Sequence, residues 1–240
     1  MTIATTMERS TSRRWKKPPL ISSPLVRWCL WVGAGIYLAA VLGTTEVNWG
    51  RVLEGVPRGA KFIGGFFPPD FITNLDEILS GLYESIWMTV TSTVIGVALS
   101  IPIGLGAAKN LAPAAIYYMC RSILAVTRSF QEVIIAIFMV KLFGFGPFAG
   151  FITLVIATVG FYGKLLAEDI EDMDPVQAEA VKATGGSWFQ WINFAVQPQV
   201  MPRMIGLGLY RLDINFRESA VVGIVGAGGI GVVLSNAFDQ

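Results

Sequence analysis

Four long runs of this sequence contain no charged residue, and they constrain its fold more than any other feature. The runs cover residues 28–45, 85–108, 142–163 and 219–238. Each is close to or above the ~20 residues that an α-helix needs to cross the hydrocarbon core of a bilayer. Because a helix satisfies its own backbone hydrogen bonds, it is the structure expected for such runs in lipid. The sequence therefore predicts an all-α membrane protein.

The composition is typical of a chain that is largely surrounded by lipid. Of the 240 residues, 53% are hydrophobic and 15% are charged, whereas soluble domains carry roughly 25% charged residues. We therefore expect membrane lipid to contact much of the surface. The net charge of +1 gives no reason to expect a nucleic acid partner.

Several classes of chemistry are excluded by the residues that the sequence lacks. It contains no histidine, which excludes Ser-His-Asp triads and histidine-ligated zinc. Cys29 and Cys120 lie in separate apolar stretches and form no C-x-x-C pair, so we interpret both as buried small residues. No G-x-x-x-x-G-K-[ST] sequence is present, and any P-loop ATP hydrolysis has to come from a partner. We expect no catalytic residue, no metal site and no cofactor, and therefore a chain that is not an enzyme.

Basic residues before the first run predict its orientation. Residues 1–27 contain one acid, Glu8, and the basic residues Arg9, Arg13, Arg14, Lys16, Lys17 and Arg27. Such an excess favours the cytoplasmic side of a membrane. A cleaved signal peptide is the alternative, but its apolar core usually spans roughly 7–15 residues before a small-residue cleavage site, and this run is longer and lacks such a site. We therefore predict a cytoplasmic tail, 1–27, and a membrane domain, 28–240.

Three further spans are expected where apolar stretches approach charged or turn-forming residues. The third lies between Arg121 and Lys141. The fourth begins after the turn 144–147 (GFGP), and Lys164 marks its cytoplasmic end. The fifth starts at about Met204. Together with the first two runs, these stretches predict five to six membrane helices.

Two segments between the predicted spans are polar. Residues 46–84 are rich in glycine and proline, which indicates an external loop with an amphipathic stretch near the interface. Residues 168–202 form the long polar segment between the fourth and fifth spans. Spans that alternate from a cytoplasmic N-terminus place this second segment in the cytoplasm.

A glycine-rich motif lies near the end of the chain. Residues 226–231 (GAGGIG) fit the pattern G-x-G-x-x-G, and residues 221–225 before them could form a strand. A dinucleotide-binding turn needs a complete strand–helix–strand unit, and no such unit surrounds the motif. We favour a break in a membrane helix over the segment 223–231, where glycine permits a hinge or a close backbone approach. A membrane-bound dinucleotide enzyme is the alternative, and cofactor absorbance would reveal it.

The polar segment 168–202 carries the most specific motif. Its residues 179–185 read EAVKATG, and Pro198 follows thirteen residues after the glycine. This resembles the EAA loop of ABC importer permeases, in which Glu-Ala-Ala precedes a glycine and a spaced Ile-x-Leu-Pro. The sequence departs from that pattern at Val181, Ala195 and Gln197. The resemblance implies that a coupling helix contacts an ATPase, and the matching residues are Glu179, Ala180, Gly185 and Pro198.

Other stretches are similar to the phosphonate branch of these permeases. They are 66–71 (FFPPDF), 197–202 (QPQVMP), 209–211 (LYR) and 217–231 (RESAVVGIVGAGGIG). The resemblance implies a multi-pass protein of the cell (inner) membrane that forms a homodimer with a second permease copy. It also implies two ATP-binding subunits, an external phosphonate-binding protein, and a further span beyond Gln240.

Ionisable residues lie inside the third and fifth predicted spans. At the middle of a membrane helix each costs roughly 2.5–3.5 kcal/mol on insertion scales. Arg128 and Glu132 are four residues apart, as are Asp213 and Arg217. This spacing lets each pair neutralise its charges on one helix face. Two structural ion pairs are therefore one interpretation.

Arginine also suits the passage of an oxyanion, because the guanidinium fork matches phosphoryl oxygens. Arg211 has no acidic residue at helical spacing, although Glu218 lies seven residues away and could compete. A pore must release its cargo, so we expect weak, water-rich contacts. The residues predicted for the substrate path or its gate are Arg128, Arg211, Arg217, Gly226, Gly228 and Gly229.

The resemblance therefore predicts a permease subunit that moves phosphonate, driven by ATP hydrolysis in a partner. A permease of the same family for phosphate, phosphite or an amino acid is the alternative. Because the external binding protein usually selects the substrate, this chain constrains the cargo only indirectly.

Overall fold

The computed structural model describes residues 23–45, 49–65, 67 and 74–238, and all regular structure in these ranges is helical. The predicted all-α architecture is therefore confirmed. The α-helices are α1 (Pro24–Thr44), α2 (Trp49–Gly64), α3 (Leu75–Gly106), α4 (Ala114–Ser129), α5 (Glu132–Phe143), α6 (Pro147–Glu171), α7 (Pro175–Ala183), α8 (Trp188–Trp191), α9 (Gln197–Ile224) and α10 (Ile230–Phe238). A π-helical turn, Ile192–Val196, joins α8 to α9.

The chain divides into two compact units, residues 1–69 and 70–240. In the first unit, α1 is long and apolar enough to cross a membrane, and Pro24 begins it at a position where a missing N–H is tolerated. Most of the predicted basic tail, residues 1–22, lies outside the described residues. The motif 66–71 also lies outside them, apart from Phe67.

Helix α2 is the amphipathic stretch predicted for the segment after the first span. Val52, Leu53, Val56 and Ile63 recur at the spacing of one helix face. Between the apolar positions lie charged residues, and Glu54 and Arg58 approach each other at 3.8 Å. A helix with separate apolar and charged faces suits the boundary between lipid and water.

In the second unit, α3 and α6 have the length and composition of membrane spans. Helices α4 and α5 together have the length and composition of one span, although they are bent by 92° at the break between them. Helix α9 is 28 residues long, but Arg211, Asp213, Arg217 and Glu218 make it more polar than an ordinary span. With α1, the described helices thus include three apolar spans, one broken span and one long charged helix.

Helices α3 and α6 pack closely because α3 presents small residues to α6. A Cβ atom added at Gly96 would lie 2.6 Å from the Cβ of Thr158, and one at Gly104 would lie 2.7 Å from Leu166 Cδ2. The Ser100 hydroxyl donates to the carbonyl of Gly96 at 2.6 Å, so this buried hydroxyl has its hydrogen-bond partner within α3. Close backbone approach through small residues is the usual basis of helix association in membranes.

Two sequence predictions about these helices are corrected by the structure. Arg128 and Glu132 do not share a helix, because α4 ends at Ser129 and α5 starts at Glu132 after the sharp bend. Helix α6 itself runs past Lys164 to Glu171, so the predicted cytoplasmic end of the fourth span lies within a continuous helix. Cys29 is exposed on α1, whereas Cys120 is buried as predicted.

Candidate functional site

The motif that resembles an EAA loop forms a short helix, α7, between α6 and α8. Asp174 caps its start, since the carboxylate oxygen Oδ1 accepts the Val176 N–H at 2.9 Å. Gly185 follows its end with a φ of +76°, in the left-handed region that favours glycine. Glu179 and Ala180 lie on α7 with exposed side chains, whereas Pro198 lies in the first turn of α9.

A tryptophan that the sequence motif does not include holds α7 in place. The Trp191 indole N–H donates to the carbonyl of Ala178 at 2.9 Å, and both residues are buried. The Lys182 ammonium group lies 4.3 Å from the centre of the Trp191 ring. The backbone N–H of Asp174 donates to Gln199 Oε1 at 2.9 Å, which ties the start of α7 to α9. Helix α7 is therefore anchored to α8 and to the beginning of α9.

A polar cavity of about 320 Å³ lies at the break between α4 and α5. Two of the predicted substrate-path residues, Arg128 and Arg211, line it together. The complete lining consists of Thr127, Arg128, Ser129, Phe130, Gln131, Glu132, Ala157, Phe161 and Arg211. The bend brings the end of α4 and the start of α5 to a buried arginine of α9.

Arg211 is the most constrained charge in this cavity, with 2% of the residue exposed. Its Nε donates to the Thr158 hydroxyl at 3.2 Å, and its Nη2 donates to Glu218 Oε2 at 3.3 Å. The guanidinium carbon lies 5.3 Å from the centre of the Phe161 ring. Glu218, which sequence spacing left as a competing partner, therefore pairs with Arg211 across two helical turns.

Behind Arg211 lies a layer of buried polar side chains. The Asn215 amide nitrogen donates to Thr93 at 2.8 Å and to Thr158 at 2.9 Å. Thr158 thus receives hydrogen bonds from both α9 residues, and its own hydroxyl donates to the Leu154 carbonyl. These contacts fix the position of α9 against α3 and α6 and orient the arginine.

Arg217 does not line this cavity. Its Nη2 donates to Asp213 Oδ2 at 2.6 Å, so the ion pair predicted from the spacing is present. The side chains are 75% and 51% exposed, respectively. The structure therefore brings Arg128 and Arg211 together and places Arg217 elsewhere on α9.

The glycine-rich segment forms a turn between α9 and α10, which confirms the predicted helix break. Gly226, Gly228 and Gly229 have φ values of +89°, +84° and +76°. The carboxylate of Glu84 accepts the Gly229 N–H at 3.0 Å, and the N–H of Gly146 donates to the carbonyl of Gly226 at 3.0 Å. The turn is thus fastened to α3 and to the turn between α5 and α6. Because residues 221–224 are helical, the strand required by the dinucleotide alternative is absent there.

These features are those of a helical membrane protein in which a polar loop carries a short anchored helix, α7, and a charged cavity lies at the break between α4 and α5. Residues 100–239 match the family of binding-protein-dependent transport system inner membrane components. The chain belongs to this family. Its membership confirms the prediction of an inner membrane transport subunit that is not itself an enzyme.

Three curated relatives are named as permease proteins for phosphate, phosphite or phosphonate. The phosphate-import permease protein PhnE of Mycolicibacterium smegmatis is 41% identical over 168 residues, which are 70% of this chain and 32% of that protein. The putative phosphite transport system permease protein HtxC of Stutzerimonas stutzeri is 36% identical over 203 residues, 84% of this chain and 72% of that protein. The putative cryptic phosphonate transport system permease protein PhnE2 of Escherichia coli is 46% identical over 87 residues, 36% of this chain and 71% of that protein. The chain matches about a third of the length of the first and about seven tenths of the others.

Solved structures share the fold at lower identity. A crystal form of the MetNI methionine ABC transporter in inward facing conformations aligns with a TM-score of 0.59 and 22% identity, covering 65% of this chain and 77% of that chain. An amino acid ABC transporter aligns with a TM-score of 0.54 and the same identity and coverage. These likenesses show the ABC importer permease fold.

Proposed function

We propose that this chain is the permease subunit of an ATP-driven importer that moves a phosphorus oxyanion, phosphonate first among the candidates. The cavity that joins Arg128 to the buried Arg211 is the observation that carries this proposal. Guanidinium groups bind phosphoryl oxygens through paired, charge-assisted hydrogen bonds. The names of the relatives, which specify phosphate, phosphite and phosphonate, support the same class of cargo.

The charges around the cavity favour weak binding of an oxyanion, which is what transport requires. Arg128 and Glu132 both line it, and Arg211 already has Glu218 as a partner. An entering oxyanion therefore competes with carboxylates for the guanidinium groups, which limits its affinity. Weak binding allows a substrate to leave on the other side. Gly226, Gly228 and Gly229 form the proposed gate, because their turn connects the end of α9 to α3 and α6.

The exposed face of α7 is the proposed contact with the ATP-binding subunits. Val176 is 71% exposed there, and Glu179 and Ala180 lie on the same short helix. A small helix with one acid and small side chains suits insertion into a groove of a partner. We further propose two ATP-binding subunits, an external phosphonate-binding protein, and the domain boundary at residue 27.

A second copy of the chain is the proposed neighbour of α9. Asp213 and Arg217 expose an ion pair on this helix, and charged groups in membrane helices face protein or water in preference to lipid. In a homodimer these side chains would face the partner or the substrate path. On this basis Arg217 is retained as a proposed path residue.

Replacing Gly185 with tryptophan is expected to uncouple transport while membrane insertion stays intact. The φ of +76° is unfavourable for any side chain, and an indole would add bulk beside the ATPase-facing helix. A Gly185→Ala variant is the control, because no described residue lies within 4 Å of the added Cβ and only backbone strain remains. Uptake and membrane yield should be measured for both. Normal uptake by the tryptophan variant would contradict the placement of the coupling helix.

The proposed topology places the N-terminus in the cytoplasm. A protease-cleavable tag at Met1 should be protected when protease is added to intact cells, because Lys16, Lys17 and Arg27 favour the cytoplasmic side. A tag inserted after Gly65, in the predicted external loop, is the control and should be cleaved. Cleavage at Met1 with protection after Gly65 would invert the topology.

The function itself is tested by transport in vesicles. Vesicles that contain this chain, its co-purified ATP-binding subunits and the binding protein should accumulate labelled methylphosphonate with ATP and not with ADP. Equal uptake with the two nucleotides would contradict ATP-driven import.

A further inference from the structure

Two of the carboxylates at the end of α6, immediately before the loop that carries α7, contact other helices. Asp169 and Glu171 both fall in the last turn of the helix, where the helix dipole disfavours negative charge. Each has an arginine partner on another helix. The Asp169 side chain is 5% exposed, and its Oδ2 is buried without a hydrogen-bond partner among the residues that the structure describes. Acids placed at such an unfavourable position need a reason beyond the local stability of α6.

Glu171 connects the end of α6 to α4 and to the turn before it. Both of its carboxylate oxygens lie 2.9 Å from Nη2 of Arg121, which is on α4. Its Oε1 also accepts the backbone N–H of Lys109 at 2.8 Å. The Arg121 Nε donates to the carbonyl of Ala107 at 3.1 Å, so the arginine bridges the turn as well. We call this set of contacts the α4 clamp.

Asp169 connects the same end of α6 to α9. Its Oδ1 lies 2.6 Å from Nη1 of Arg203. About two turns earlier on α6, the Tyr162 hydroxyl donates to the carbonyl of Met204, the residue after Arg203, at 3.0 Å. Tyr162 and Met204 are buried in the cluster that also contains Ala178 of α7. We call the Asp169–Arg203 contact the α9 clamp.

Each clamp involves a helix that also carries one of the two arginines of the polar cavity. Arg128 lies about two turns beyond Arg121 on α4, and Arg211 lies about two turns beyond Arg203 on α9. These are the two arginines that line the polar cavity at the α4–α5 break. Helices are stiff over two turns, so a displacement at a clamp is carried to the arginine on the same helix.

We propose that Glu171 and Asp169 are positioning residues that make the separation of Arg128 and Arg211 follow the movement of the coupling helix. This inference rests on the proposed function, because it requires an ATPase that moves α7. When the end of α6 shifts with α7, the two clamps move α4 and α9 together or apart. The affinity of the cavity for an oxyanion then changes with ATP hydrolysis.

The test measures uptake per ATP hydrolysed in the complex that co-purifies with this chain. Glu171→Gln and Arg203→Gln should lower this ratio roughly 2- to 30-fold, the range of coupling changes produced by substitutions along such networks, while ATP hydrolysis continues. Lys164→Gln is the matched control, because it removes a 3.5 Å ion pair with Glu168 that lies within α6 alone. Its ratio should equal that of the wild type.

A charge exchange separates positioning from simple structural support. The double variant Arg121→Glu with Glu171→Arg restores the ion pair in the opposite sense, and it should recover a large part of the lost ratio. The proposal is overturned if Glu171→Gln keeps the wild-type ratio, or if it loses uptake, hydrolysis and yield together and the exchange restores none of them. A wild-type complex that performs no ATP-dependent uptake would instead overturn the proposed function.

Discussion

Replacing Arg211 with lysine is expected to slow oxyanion uptake about tenfold or more. Lysine keeps a positive charge near Glu218, but it cannot supply the Nε donor that reaches Thr158. Charge-assisted hydrogen bonds of this kind are worth roughly 1.5–3 kcal/mol each, so losing one that acts on the substrate or its neighbours accounts for the effect. The initial rate of labelled phosphonate uptake in vesicles is the measurement.

Arg217→Lys is measured beside this substitution. Arg217 is exposed and forms an ion pair with Asp213, and lysine can keep that pair. Near-normal uptake would therefore indicate an ion-pair role alone, whereas slower uptake would support its proposed place in the substrate path. The double variant Asp213→Asn with Arg217→Gln then decides the role of this site. Near-full activity would leave a structural ion pair there. If Arg211→Lys also transports normally, the cavity is not the substrate path.

Arg211→Ala separates transport from stability. It would leave Glu218 partly buried without its partner, and removing one member of a buried pair typically costs about 3–5 kcal/mol. The double variant Arg211→Met with Glu218→Gln removes both charges and should recover much of the thermal stability. It should still fail to transport, because no guanidinium remains beside Arg128. Recovery of transport together with stability would show that Arg211 has only a structural role.

Replacing Gly228 with valine is expected to produce the second large effect, a loss of stability of about 3 kcal/mol or more. The residue has a φ of +84°, and a left-handed conformation costs other residues roughly 1–2 kcal/mol. An added Cβ would also lie 2.6 Å from the Cα of Pro147 and 2.7 Å from its nitrogen. Overpacking against backbone adds typically about 1–3 kcal/mol. Thermal unfolding of the purified complex measures the sum.

Two glycine variants separate these contributions. Gly144 has a φ of +90°, and no atom of the described part of the chain lies within 4 Å of an added Cβ, so Gly144→Ala should show the conformational cost alone. Gly206 lies inside α9, where an added Cβ would likewise meet none of the described atoms within 4 Å, and Gly206→Ala should be neutral or slightly stabilising. Equal unfolding temperatures for Gly228→Val and Gly144→Ala would contradict the close approach of the glycine-rich turn to Pro147.

Apolar runs and glycine chemistry made most of the spans predictable. In lipid the backbone groups of a long uncharged run have to bond to one another, which favours a helix. Helices α1, α3 and α6 therefore follow from composition. The turn after Ile224 follows from its glycines, because other residues rarely adopt positive φ. The end of α6 could not be located in this way, since a helix that leaves the bilayer meets water without losing its hydrogen bonds.

The break between α4 and α5 carries no local signal. Residues 129–131 (SFQ) contain neither glycine nor proline, and the four-residue spacing of Arg128 and Glu132 imitates a continuous helix. The pairing of Arg121 with Glu171 joins residues fifty positions apart, which no spacing rule detects. Trp191 was missed for a similar reason, although a tryptophan in a polar loop is itself a sign of a buried anchor. The arginines of the cavity were predicted from charge in apolar surroundings, whereas their association depends on tertiary packing.

Competition for uptake would show whether the complex carries phosphorus oxyanions. Vesicles that contain the complete complex would be given ATP and labelled methylphosphonate, with unlabelled phosphite, phosphate or D-methionine as competitors. D-Methionine is included because probable D-methionine permeases are more distant relatives, at 26% identity or less. We expect ATP-dependent uptake that at least one phosphorus oxyanion suppresses and D-methionine does not. Absence of uptake, or suppression by D-methionine alone, would contradict it.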